Sequence, residues 1–192
     1  LLCARLAALL SGGTDQNIAL RITDLGLYDA RPPAEVLRHL NTLMIEELRI
    51  ESYFTMVYAD LDFLTGQLRL VQAGHPHPVL QHADGRIERI GGGGLPVGVF
   101  PDAAYDEVRL ALGPGDRLFI SSDGLTESEN ARGEPLGEEG LNAILRTNAT
   151  LRGDALLESI CWSAAHYAGG RRSDDISAVL VERQRNGDHP WG

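Results

Sequence analysis

Cysteine is scarce in this 192-residue chain, which contains only Cys3 and Cys161. They form no Cys-x-x-Cys pair and no disulfide framework, so a reducing, cytosolic setting is the default expectation. Long apolar runs are missing as well. No stretch approaches the roughly 20 apolar residues that cross a bilayer. The opening LLCARLAALL has no basic n-region and is broken by Arg5, which excludes a signal-peptide reading. Positive charge is in deficit: the net charge of −10 disfavours a nucleic-acid backbone or an anionic membrane as partner. Apart from Gly91 to Gly94 there is no low-complexity segment, and no internal repeat. A starting Met is absent too, and Leu2, Leu6, Leu9 and Leu10 share one helical face. The chain is therefore expected to begin inside a helix of a longer protein.

What is present reads as one soluble globular domain with a sizeable core, at 43% hydrophobic and 23% charged residues. The expected domain runs over 1–185, with a disordered tail at 186–192. The first helix should stop near Ser11-Gly12-Gly13. Residues 17–29 fit a short strand or a helix. Arg31-Pro32-Pro33 opens a helix carrying Val36, Leu37, Leu40, Leu43 and Met44 at helical spacing. From Tyr53 the texture becomes strands: 54–63 and 67–75 around the turn Leu64-Thr65-Gly66, then 78–82 and 86–90 around Ala83-Asp84-Gly85. Strands at 107–112 and 116–122 are expected to pair around Gly113-Pro114-Gly115. Two helices fit 137–147 and 153–167, and 176–183 is a last strand. Short turns between consecutive strands imply antiparallel pairing, and the order of elements gives an α+β class.

Two words carry the chemistry, FISSDGLTESEN at 119–130 and RRSDDISAVLVE at 171–182. Each sets an aspartate, Asp123 or Asp174, at a strand boundary, where a strand can aim a carboxylate. Carboxylates on separate strands, flanked by Ser, Gly and Asp, suggest a site for a hard cation such as Mg or Mn. That equipment suits phosphate-ester hydrolysis. An acidic protein acting on a phosphorylated substrate would also need cations to offset repulsion. Gly124 lets the chain turn sharply after Asp123, and Asp175 is a candidate supporting group that holds a ligand or water in place.

Five segments in order, YFTMVYADLD at 53–62, LRLVQAGHPHPVL at 68–80, GGLPVGVFPDAAY at 93–105, GDRLFISSDGLTESENARGEPLG at 115–137 and SDDISAVLVE at 173–182, resemble the PPM-type metal-dependent serine/threonine phosphatases, in their bacterial SpoIIE-like branch. The resemblance implies two packed antiparallel β-sheets flanked by helices. It implies an Mn or Mg pair that activates water against phosphoserine or phosphothreonine, with Asp123 and Asp174 as catalytic metal ligands. It also implies a phosphorylated STAS-type anti-anti-sigma protein as substrate and a sensor or receiver domain upstream in the parent chain. Two further aspartate words of the family, a Gly-Asp strand and a Gly-Asp-Val-Ser-Gly-like turn, have no counterpart in this chain. They normally supply the bridging ligand, so the chain by itself is expected to be impaired.

Other signals point elsewhere. Asp60 and Asp62 could belong to a haloacid-dehalogenase-type phosphatase with Asp60 as nucleophile, but that motif wants Thr or Val where Leu64 stands, and a parallel crossover. Surface carboxylates fit better. His75 and His77 lack a nearby third ligand and fit turn positions. Gly91 to Gly98 has no Walker lysine and reads as a flexible loop. Arg171 and Arg172 could clamp a phosphate, or be exposed basic residues. An inactive PPM-fold binding module is the alternative from another functional class.

Overall fold

Proline and apolar periodicity decide the first elements. In chain order these are α1 (Leu2–Ser11), β1 (Leu20–Ile22), β2 (Tyr28–Ala30) and α2 (Pro33–Thr42), the last continuing as a π turn over Leu43–Glu47. Pro33 costs α2 nothing, because the first turn has no intrahelical partner for its N–H. Val36, Leu37, Leu40 and Met44 then fall on one fully buried stripe. The open stretch 17–29 resolves into a hairpin, with Leu20 opposite Ala30 and Ile22 opposite Tyr28. The computed structural model describes residues 2–11, 17–47, 52–170 and 175–185; the expected tail at 186–192 lies outside them.

Strands follow: β3 (Met56–Leu61), β4 (Gln67–Ala73), β5 (Val79–Gln81), β6 (Ile87–Arg89), β7 (Glu107–Ala111) and β8 (Arg117–Ser121). The helices α3 (Gly137–Thr147) and α4 (Gly153–Tyr167) precede the last strand, β9 (Ala178–Glu182). By contacts the chain divides into two units, Leu1–His75 with Gly92–Leu110, and Pro76–Gly91 with Ala111–Gly192.

The first unit holds the hairpin and a three-stranded sheet of order β3-β4-β7. β3 and β4 are antiparallel, and Asp60 faces Arg69 across the pair. Asp62 Oδ1 accepts the amides of Leu64 at 2.8 Å and Thr65 at 3.1 Å, which closes the turn. The α2 stripe packs with Val71, Ala73, Val97 and Tyr105 into one core. The second unit holds a four-stranded sheet of order β6-β5-β8-β9, antiparallel at every contact. Its core joins Val79 and Phe119 of the sheet to Leu141 and Leu145 of α3 and Leu156, Ile160 and Ala164 of α4. Antiparallel sheets, each packed with helices, are the α+β class expected from the sequence.

Two strand-level expectations need correction. β7 and β8 do not pair around Gly113-Pro114-Gly115: β7 joins β4, whereas β8 lies between β5 and β9. A short turn licenses a hairpin but does not enforce one, and this turn passes the chain between sheets. Asp116 holds it there, accepting the Gly113 amide at 2.8 Å and the Ala83 amide at 2.9 Å. The glycine stretch is not a free loop either. Gln72, almost fully buried, accepts the Gly93 amide at 2.8 Å, and the Gly74 amide donates to Gly93 at 2.7 Å. A buried amide side chain must find partners, and here the loop provides them.

Candidate functional site

β8 is an inner strand, paired on both sides, and all but one of its five residues are buried. Whatever follows its end is therefore aimed by a rigid support. Ser122 follows in extended conformation, and then one 3-10 turn spans Asp123–Leu125. Leu125 is fully buried in the core with Phe119 and fixes the turn from below. The Asp123 carbonyl accepts the Glu127 amide at 2.8 Å and the Thr126 hydroxyl at 3.2 Å. The Ser128 hydroxyl donates to the Gly124 carbonyl at 2.8 Å. The backbone is thus committed, while the Asp123 side chain is exposed. Among the described residues its carboxylate has no hydrogen-bond or ion-pair partner.

Gly124 is buried and is not among the glycines with positive φ. Left-handed freedom is therefore not what this position uses. The sharp reversal after Asp123 comes from the 3-10 turn itself.

The second word approaches the same strand end. β8 and β9 are antiparallel, with Ser121 opposite Ala178. Ser122 extends that pairing by its amide, which donates to Ser177 at 2.9 Å. Its hydroxyl accepts the Ser177 amide at 3.0 Å and donates to the Asp175 carbonyl at 3.3 Å. Asp175 is exposed beside this seam. Asp174, Arg171 and Arg172 lie outside the described residues. Sequence reasoning gave Ser122 no role, although a Ser-Ser pair at a strand end before Asp was a usable signal.

The donors at this end are hard oxygens, the Asp123 carboxylate above all, which suits Mg or Mn better than a soft-ligand metal. Among the described residues no three His, Cys, Asp or Glu side chains gather around one point. A cavity of about 40 Å³ adjoins the turn between Ser121, Thr126, His77 and Asn142, roomy enough for water.

The competing sequence signals settle into structural roles. Asp60 is ion-paired with Arg69, whose Nε donates to Oδ2 at 3.1 Å, and this bond holds the guanidinium above its ordinary range. The antiparallel β3–β4 pair is not the parallel crossover that a haloacid-dehalogenase site requires. His77 Nδ1 lies 3.4 Å from the Ile90 carbonyl, and the His75 carbonyl accepts from Gln72.

Comparison with known proteins bears on the family and the fold. A family model described as Stage II sporulation protein E (SpoIIE) matches residues 4–184. The chain is 25% identical over 158 residues to the phosphoserine phosphatase RsbP of Bacillus subtilis (strain 168), covering 82% of this chain and 38% of that protein. It is 24% identical over 153 residues to the phosphoserine phosphatase RsbU of the same organism, covering 79% and 45% respectively. It thus spans less than half the length of either relative. Among solved structures, the SiaA-PP2C domain of Pseudomonas aeruginosa superposes with a TM-score of 0.66 at 20% identity, over 80% of this chain and 61% of that one. The manganese-presoaked SpoIIE phosphatase domain of Bacillus subtilis superposes with a TM-score of 0.59 at 18% identity, over 99% and 74%. The fold is that of the PP2C structures.

Proposed function

This chain belongs to the SpoIIE family, and from that membership we propose that it is a metal-dependent phosphatase of bacterial signalling acting on phosphoserine or phosphothreonine in a protein. The proposed substrate is a STAS-type anti-anti-sigma protein, the setting is the cytoplasm, and a sensor or receiver domain in the parent chain controls the site. The observation that carries the reading is the seam at the end of β8. There Ser122 ties the word around Asp123 to residues 175–177, next to Asp174 in sequence.

In this reading Asp123 and Asp174 hold Mn or Mg. The chemistry such a cation supplies when bound is Lewis acidity toward phosphoryl oxygens and an activated water. The chain's own contribution is placement. β8 holds the Asp123 turn still, Leu125 anchors it in the core, and Ser122 fixes the approach of β9. A rigid support matters because misplacement by about 1 Å costs on the order of a hundredfold in rate. Gly124 and Asp175 support the same seam. Two relatives whose names state a phosphoserine phosphatase, RsbP and RsbU, favour this substrate chemistry.

The test is phosphate release from a phosphoserine protein with Mn, with Mg and with chelator, for the full-length parent protein and its variants. Release should require the metal and fall by at least about a hundredfold in Asp123→Ala and in Asp174→Ala, with far-UV spectra unchanged. Turnover of the variants at the wild-type rate would defeat the assignment of these residues. No turnover by a folded wild-type protein with metal would leave a non-catalytic PPM-fold binding module.

A further inference from the structure

At the far end of β8 and β9 from Asp123, where Arg117 is opposite Glu182, a cleft of about 320 Å³ opens between β9 and the start of α4. Arg152, Arg183 and Arg185 line it, and Leu157 and Leu180 supply its apolar surface. A strand rises about 3.3 Å per residue, so the cleft stands roughly 15 Å along β8 from the Asp123 end. We propose that it binds a small organic phosphate, its anionic group held by the arginines and its apolar part resting on Leu157 and Leu180. This site is independent of the phosphatase reading.

Charge is the first argument. The whole chain carries −10, yet the acids among the described residues lining this cleft are Glu182 and Asp154, against three arginines. Glu182 is partly engaged. Its Oε2 accepts the Gly153 amide at 2.6 Å, and its Oε1, 3.3 Å from Nε of the buried Arg117, is buried without a hydrogen bond. Behind Glu182, Arg117 Nη1 is buried without an acceptor. Among the described residues the local balance is therefore positive, with Arg117, Arg152, Arg183 and Arg185 against Asp154 and Glu182, inside an acidic protein.

Preorganisation is the second. Arg152 Nη1 donates to the carbonyls of Ala149 at 2.8 Å and Leu151 at 3.0 Å, and Arg185 Nη2 donates to Ala83 at 3.2 Å. A guanidinium has five N–H donors, so these bonds orient each fork without exhausting it. Among the described residues neither Arg152 nor Arg185 forms an ion pair. Gly115, with φ +90°, makes room for one of them: a Cβ there would stand 2.6 Å from Arg185 Nε. Holding the forks in advance lowers the ordering cost of binding, and forked Arg donors suit phosphate oxygens.

Size and lining are the third. The volume falls at the small end of ligand pockets, which begin at about 300 Å³ and combine apolar walls with a few convergent polar groups. A bare phosphate would leave Leu157 and Leu180 unused.

Phenylphosphonate is a suitable probe, because its carbon–phosphorus bond resists phosphoester hydrolysis. Calorimetric titration of the full chain in low salt with chelator should show saturable binding at one site. Arg152→Gln and Arg185→Gln, on separate elements, should each weaken it by roughly fivefold or more, while Asp123→Ala leaves it unchanged. Melting curves matching wild type qualify each variant, and either one suffices. Methylphosphonate, lacking the ring, should bind at least about fivefold more weakly. The proposal fails if the wild type shows no saturable binding, or if Asp123→Ala abolishes binding that both arginine variants retain. Equal affinity for the two phosphonates would also overturn it, reducing the cleft to a site for the anion alone.

Discussion

Ser122 and Tyr105 show how much one polar atom can decide. The Ser122 hydroxyl bridges the Asp175 carbonyl and the Ser177 amide, so it joins two chain segments next to the candidate site. Ser122→Ala should cost about 1–2 kcal/mol, the scale of losing such bonds. If Ser122 positions the seam, the variant should lower kcat on a phosphoserine protein more than it raises KM; thermal melts and steady-state kinetics check both. Tyr105 is the opposite case, because its hydroxyl is buried without a partner. Tyr105→Phe should be neutral or stabilising by about 1 kcal/mol, since the unpaired group costs free energy in the native state. Burial also pushes the Tyr105 hydroxyl above its ordinary value of 10.0. A group whose folded value is raised contributes stability that is intact below about pH 10 and is lost as pH rises through the folded value. Alkaline destabilisation should therefore be smaller in Tyr105→Phe, as read from denaturant titrations at pH 9 and pH 11.

At the scale of elements, the glycine stretch between β6 and β7 divides into positions that matter and positions that do not. Gly94 has φ +64°, and a Cβ on it would stand 2.2 Å from the Gln72 carbonyl of β4. Gly92 has neither a positive φ nor any atom within 4 Å of such a Cβ. Gly94→Ala should destabilise by about 2 kcal/mol or more, whereas Gly92→Ala should change stability by less than about 0.5 kcal/mol. Urea unfolding of the pair measures the contrast, and equal effects would refute the anchored loop. Asn41 serves the same region from α2: its Oδ1 accepts the Gly98 amide at 2.8 Å, and its Nδ2 donates to the Phe100 carbonyl at 2.8 Å. A buried side-chain amide thus fixes the loop that a purely local reading leaves free.

For the whole molecule, of net charge −10, the proposed function makes divalent cations the counter-charge of the exposed Asp123 carboxylate. Mn should raise the melting midpoint of the full-length protein, because a ligand that binds only the native state stabilises it by about 2.7 kcal/mol at a hundred times its dissociation constant. Asp123→Ala should remove most of that increase. A wild-type midpoint unmoved by Mn would count against a cation site. Mixed duplex DNA should not be retained in gel-shift experiments at physiological salt, since an acidic surface cannot release the counterions of the phosphate backbone.

Local chemistry was enough to locate most elements. Proline at the head of α2, apolar spacing along α2 and α4, and turn residues after β3 and β5 act within a few residues, and each is visible in the chain. The words around Asp123 and Asp174 were legible for the same reason, as was the family resemblance they carry. The pairing of β7 with β4 was not legible. A strand's partner is chosen by which hydrophobic face is buried, and that depends on residues far away in sequence. Nor could the sequence reveal that Gln72 ties down the glycine stretch, or that Ser122 joins residues 175–177. The Gln72 bond exists because folding takes distant polar groups out of water together, where each must find a partner. The exposed Ser122 bonds exist because β8 and β9 bring their ends side by side.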